Sequence, residues 1–180
     1  MIKLTLWISL FLSSYAMGDQ QAVIQEVKPI IQKFGQSLKA ELKGAMIAGG
    51  PVKGLAVCNI QAPAIASKAS ETNWKVARTS LKWRNANNQP DQWEKEQLEM
   101  FEMKLKAGTP ANNLWAVKET ENETRVMKAI MTQDICLACH GKTLSSDVQN
   151  KLDALYPVDH ATGFSSGDIR GAFSLRKHRF

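Results

Sequence analysis

The sequence is short of several things at once. Its 180 residues hold only three cysteines, six prolines and two tyrosines, which excludes a disulfide-stapled mini-domain and a proline-rich linker protein. No stretch reaches the ~18 unbroken apolar residues that a membrane-spanning helix needs. The chain is basic, with 23 Lys+Arg against 17 Asp+Glu and a formal charge of +6, yet it contains no Lys/Arg block. Charge this diffuse is a weak pointer to an anionic partner and lacks the clustering of a nucleic-acid site. Nothing resembles a catalytic triad, a phosphate-binding loop or a paired acid/base set, so no enzyme is expected. No repeat or low-complexity linker divides the chain, and 20.0 kDa suits one domain. With 44% hydrophobic and 22% charged residues, the balance is that of a globular protein and excludes disorder.

The N-terminus points to export. Lys3 precedes the apolar run Leu4–Leu12, and Ala16-Met17-Gly18 resembles a small-residue cleavage site. Residues 1–18 read as a signal peptide, leaving a single mature domain at 19–180 that begins with Asp19. An uncleaved anchor is the alternative, and the apolar run is short for it. No cysteine lies near the cleavage site, which argues against a lipid-anchored form. The expected location is periplasmic or secreted, where disulfides can form.

Val23, Val27, Ile30, Ile31, Phe34, Leu38, Leu42 and Met46 recur at three- and four-residue spacing, the stripe of a long amphipathic helix. Pro29 could kink or restart it, and Gly49-Gly50-Pro51 should stop it and open the next. Residues 52–62 read as a short helix, followed by another helical turn from Pro63 to about Ser70. Trp74 to Trp83 alternates loosely like a strand. Asn87–Asp91 reads as a turn and cap before a charged helix that Gly108 ends. Leu114–Glu119 and Thr124–Met131 read as an antiparallel hairpin. A cysteine loop at 134–142, a helix from Ser146 to Leu155, a Gly-rich loop at 163–171 and a last strand at Ala172–Lys177 complete the chain. Helices first and an antiparallel sheet later imply an α+β fold.

Cys136-Leu137-Ala138-Cys139-His140 is C-x-x-C-H, the attachment sequence for c-type haem. Two thiols three residues apart can add to the two vinyl groups on one porphyrin edge, and the next residue, His140, is then delivered to the iron as an axial ligand. With this composition the pattern arises by chance in roughly one chain in a thousand. The export signal is independent and agrees, because haem is attached to such proteins outside the cytoplasm. Three other readings compete. A Cys136–Cys139 disulfide leaves His140 unexplained. A thioredoxin-like pair needs a βαβ context, whereas this motif follows a hairpin. Cys58, Cys136, Cys139 and His140 could also form a Cys₃His zinc set.

The iron's other face could take a methionine, a histidine, a cysteine or nothing. Met46, Met100, Met127 and Met131 sit at apolar-stripe positions and read as core filler. His178 lies near the frayed C-terminus and His160 in a loop. Cys58, the odd cysteine, falls on a helix amid Leu55, Ala56, Val57 and Ile60, as either a buried inert thiol or a ligand. Arg78, Arg84 and Arg170 could pair with haem propionates or be ordinary surface charges. Trp74, Trp93 and Trp115 could line the haem pocket, with core duty the simpler reading.

Several segments besides C-x-x-C-H resemble a family of small c-type haem domains long catalogued as of unknown function. They are the stretch around Cys58, Arg78–Lys82 with Arg84-Asn85, Cys136–Gly141, Tyr156-Pro157 and Gly167–Ser174. They follow in order over nearly all of the mature chain. Trp83 departs from the pattern, standing where that family has proline. The resemblance implies a PAS-like fold, one covalently attached haem c, His140 as proximal ligand and Cys58 as distal ligand. It also implies a protein that stands alone after export or serves as the extracytoplasmic sensing part of a kinase or chemoreceptor. The expectation is therefore an exported monohaem c-type cytochrome acting as a redox or gas sensor. The alternative is an electron carrier with two permanent ligands, with a structural zinc protein behind both. Either haem role needs an unidentified redox or signalling protein partner, and a gas sensor would take a diatomic ligand as well.

Overall fold

The computed structural model describes residues 9–179, with side chains from Asp19 onward; the leader expected at 1–18 lies outside the fully described residues. Helix α1 (Ser9–Ala56) runs through Pro29 without a break. It leaves helical geometry only at Gly49 and Gly50, the latter at φ +66°, a left-handed conformation that glycine adopts without a Cβ penalty. The Gly-Gly-Pro stop is thus a local break after which the helix resumes. A π-helical turn (Val57–Gln61) and α2 (Ala62–Ala69) follow.

Four strands form one antiparallel sheet in the order β1-β4-β3-β2. They are β1 (Lys75–Thr79), β2 (Trp115–Glu119), β3 (Glu123–Met131) and β4 (Ile169–His178). The first strand is shorter than the Trp74–Trp83 alternation suggests, because Ser80 turns the chain. Its backbone N–H donates to Asn88 O (3.1 Å) and its hydroxyl to Arg170 O (2.8 Å). The last strand is longer than expected because β1 and β3 flank it on both sides. β4 also passes very close to β1 at Gly171, where a Cβ would stand 2.4 Å from Thr79 O.

Side chains alternate between the sheet's two faces, and a helix covers each. Val27, Ile31 and Phe34 of α1 pack on Val76, Val126 and Leu175. On the other face, Leu98 and Phe101 of α3 (Gln92–Lys106) pack on Met127, Ala129 and Ala172. Burying each Val, Leu, Ile, Phe or Met among these contributes roughly 1.5–3 kcal/mol relative to exposure. Asp91 starts α3 with a capping box: its carboxylate accepts from Glu94 N (2.9 Å), and Glu94 returns to Asp91 N (3.0 Å).

The 134–142 segment differs from the loop expected of it. Residues Asp134–His140 form a short helix, α4, started by Gln133 and closed at Gly141, whose N–H donates to Leu137 O (2.9 Å). Together with α5 (Ser146–Leu155), it builds a third apolar cluster in which Cys139 meets Leu55, Val148, Leu152 and Tyr156. The fold is α+β with a long N-terminal helix and a four-stranded antiparallel sheet, in agreement with the PAS-like arrangement expected. Among the described residues no helix is long and apolar enough to cross a membrane.

Candidate functional site

The C-terminal part of α1, the π-helical turn and α4 enclose a cavity of about 420 Å³ against the α1 face of the sheet. This lies within the ~300–1,000 Å³ typical of cofactor sites. Cys58, Cys136, Cys139 and His140 all line it, so the four residues singled out in the sequence come together although 82 positions separate the first from the last. A second hollow of about 470 Å³, between α3 and the start of β4, contains no cysteine or histidine.

Local structure presents each of them. Cys58 sits in the π-helical turn, an extra-wide turn of a kind frequent at functional sites. The three-residue spacing puts Cys136 and Cys139 on the same side of α4. All three cysteines are free thiols. Burial pushes the Cys139 thiol up to about 11, outweighing the opposite pull of Arg84.

His140 is the most constrained of the four. Its Nδ1 lies 2.6 Å from Ala161 O, so Nδ1 carries the proton and donates, leaving the Nε2 lone pair free. Burial, reinforced by the Arg170 and Arg84 charges, lowers its pKa well below the ordinary imidazole value. A neutral ring, held through Nδ1 by a backbone carbonyl with Nε2 open, is the state in which histidine ligates a metal. The backbone is pinned as well: Phe164 N donates to His140 O and Gly163 N to Gly141 O, both at 3.0 Å.

Positive charge gathers around this cavity. Arg78, Arg84 and Arg170 all line it. Arg84 is buried and ties α4 to the 159–164 loop. It donates to Cys139 O (2.7 Å) and Ala161 O (3.3 Å), and it pairs with Asp159 at 2.9 Å. Its Nη1 is buried without a hydrogen-bond partner. Arg170 donates to Ser80 Oγ (3.1 Å) and Lys82 O (3.3 Å), neither of which is charged. Its pKa falls to about 10, through burial first and then through the Arg84 and Arg78 charges. Arg78 is likewise lowered by burial, an effect that Cys58 and Tyr156 only partly offset. Three guanidiniums thus line a cavity that has no carboxylate in its lining, and of the three only Arg84 is paired among the described residues, with Asp159. Such a site favours an anionic guest, and guanidinium matches carboxylate in a fork. The neutral imidazole with a free Nε2, the free thiols, the unpaired Arg84 nitrogen and the excess of cations all fit a haem with its two propionates.

The aromatic and methionine expectations sort out differently. Trp74 is core, its indole N–H donating to Glu26 (2.9 Å). Trp93 lies under Arg125, and Trp115 donates to Asn112 O. None of the three lines the cavity. Trp83 does, as do Met46 and Met131, whereas Met127 is wholly buried core and Met100 is exposed. Periodicity could not separate these cases, because a residue lining a cavity and one filling a core occupy the same apolar stripe. The one signal that could have marked Trp83 is its position beside Arg84.

Zinc is less well served by this arrangement. A Cys₃His set must converge on one point at bond lengths near 2.0–2.3 Å, and among the described residues no group of three or more His, Cys, Asp or Glu side chains is placed to hold an ion. The four residues line a cavity of about 420 Å³, room for a guest much larger than a single ion.

The fold and the cavity define a class: an α+β domain that shelters a cysteine- and histidine-lined cavity between a long helix and one face of an antiparallel sheet. A model of the Tll0287-like family matches residues 12–177, and the chain belongs to that family. Its fold is similar to the crystal structure of the cyanobacterial heme-protein Tll0287, with a TM-score of 0.66 and 21% identity over 88% of this chain and 96% of that one. No curated protein matches it.

Proposed function

We propose that this chain is an exported protein carrying one haem c, joined by thioethers to Cys136 and Cys139. His140 and Cys58 are its axial ligands, and its function is that of a redox- or gas-sensing module. One observation carries the reading: the two C-x-x-C-H thiols, a neutral histidine with Nε2 free, and a third thiol from a separate helical segment all line one cavity ringed by arginines. The similarity of fold to a protein described as a heme-protein supports the same cofactor here. Haem would supply a reversible one-electron change and an iron that accepts two axial ligands.

The chain's own residues divide the remaining work. Ala161 O holds the His140 ring in one tautomer and orientation, making it the permanent ligand. As a thiolate on the iron, Cys58 would favour the ferric charge and would bind less firmly once that charge falls. It is therefore the ligand that can leave on reduction or give way to a diatomic gas. Arg78, Arg84 and Arg170 supply cations for the propionates. With Cys58 and His140 both on the iron the resting protein would offer a substrate no open position, which favours sensing over catalysis. A separate redox or signalling protein would read the change.

Absorption spectra of the oxidised and reduced protein, with and without carbon monoxide, test this. The sensor reading predicts that the reduced protein takes up carbon monoxide rapidly as Cys58 leaves. Retention of both ligands would assign an electron carrier instead. Cys58→Ala should change the low-spin spectrum and raise the reduction potential without releasing the haem. An unchanged spectrum removes Cys58 from the iron.

A further inference from the structure

Trp83, where the sequence departs from the pattern it otherwise resembles, joins the cavity to the surface. The residue is half-buried and lines the cavity. Its ring meets the ring of His160 edge-on, with centroids 4.6 Å apart and planes at 79°. The pair is held by the backbone as well as by the rings, because His160 N donates to Trp83 O at 3.0 Å. His160 is exposed.

A second connection ends at the same place. His140 Nδ1 donates to the carbonyl of Ala161, the residue next to His160. Arg84, next to Trp83, donates to that carbonyl as well and pairs with Asp159 on the other side of His160. The 159–161 segment is therefore fixed at each residue. One link leaves the cavity through an aromatic ring and the other through a short hydrogen bond from the proposed proximal ligand. The first reaches the exposed His160 ring, and the second ends on the backbone of the next residue, Ala161.

We propose that the Trp83–His160 edge is the port through which the iron exchanges single electrons with a redox partner. This rests on the haem reading above and names the surface that such a partner contacts. A partner fitting this edge would bring its own redox centre against the exposed imidazole. His178 offers an internal comparison. It is also exposed, but lies five residues beyond the cavity-lining Phe173 along β4, roughly 16 Å at the rise of an extended strand.

The test uses the purified haem-loaded protein with a bis(bipyridine)(imidazole)ruthenium(II) group bonded to a single surface histidine. The label goes on His160 in the His178→Gln variant, or on His178 in the His160→Gln variant. The iron is first reduced. A flash with hexaammineruthenium(III) as oxidative quencher converts the label to ruthenium(III), while the quencher takes its electron. One electron then leaves the ferrous iron, making it ferric and returning the label to ruthenium(II). The proposal predicts that this step is at least an order of magnitude faster from His160 than from His178. Trp83→Leu should slow the His160 route by about tenfold and leave the His178 route unchanged, whereas Trp83→Phe, which keeps a ring in place, should retain most of the rate. The ring-current shift of the His160 protons in the nuclear magnetic resonance spectrum gives a readout independent of electron transfer. It should collapse in Trp83→Leu and persist in part in Trp83→Phe. Equal rates from the two labels, or a His160 rate indifferent to Trp83→Leu, overturns the port. A protein that carries no covalent haem overturns the reading beneath it, so the two failures are told apart before any flash is fired.

Discussion

Arg84 shows how much one side chain can decide at this site. Its guanidinium reaches Cys139 O, Ala161 O and Asp159, so it couples the helix bearing both attachment thiols to the loop that orients His140. Both ends of the Arg84–Asp159 pair are largely removed from water, at 5% and 14% side-chain exposure. Breaking a pair of this kind leaves an uncompensated charge and costs about 3 kcal/mol or more. Arg84→Met should therefore lower the denaturation midpoint and broaden the low-spin spectrum, because the Ala161 carbonyl loses one of its anchors. A spectrum and midpoint like the wild type's would mean that Arg84 does not couple α4 to the loop that orients His140. In the sequence, C-x-x-C-H stood out because its chemistry is tied to residue type, whereas the three arginines stayed open between propionate partners and surface charges. Trp83 did not stand out, since tryptophans at core and cavity positions read alike. Cys58 was legible only in part. Its isolation marked it, but nothing local told a buried thiol from a ligand, and it took a resemblance to favour the ligand.

Among the elements, α3 is held at its start by more than its cap. Arg125 of β3 pairs with Asp91 (2.7 Å) and Glu94 (3.3 Å), Arg176 of β4 pairs with both acids, and Ser174 donates to Glu94 (2.6 Å). Burial alone would raise the Asp91 pKa. The Glu94 backbone N–H and the Arg125 and Arg176 charges outweigh it, and the net shift is downward from 3.8. A carboxyl depressed in the folded state adds stability above its unfolded value, and that contribution is lost as pH falls through the folded value. Asp91→Asn keeps a capping side chain and removes the charge. It should be less stable than the wild type near neutral pH, with the two urea midpoints converging as pH drops below the ordinary carboxylate range. A constant gap from pH 7 to pH 3 would contradict this. The α3 helix was readable from Asp91 and its periodic apolar face. Helix α4 was not: seven residues are too few to show a period, and it forms because Cys139 is packed into the cluster with Leu55 and Leu152.

At the scale of the molecule, the order of helices and strands and the α+β class were legible because they rest on local patterns over whole segments. The sheet order and the placing of the cavity were not. Both depend on β4 entering between β1 and β3 and on α1 resuming after Gly50, long-range outcomes that no short window contains. What the fold achieves is to bring Cys58, Cys136, Cys139 and His140 to one cationic cavity that the C-terminal part of α1 covers. The central claim is that this cavity holds a single haem joined covalently through the two motif cysteines. The pyridine haemochrome of the purified protein, recorded before and after extraction with acidified butanone, tests it directly. The account predicts a c-type spectrum with one haem per chain that stays with the protein on extraction and is lost or made extractable when Cys136 and Cys139 are both replaced by Ala. A protein without haem, or one whose haem leaves with the solvent, would contradict it.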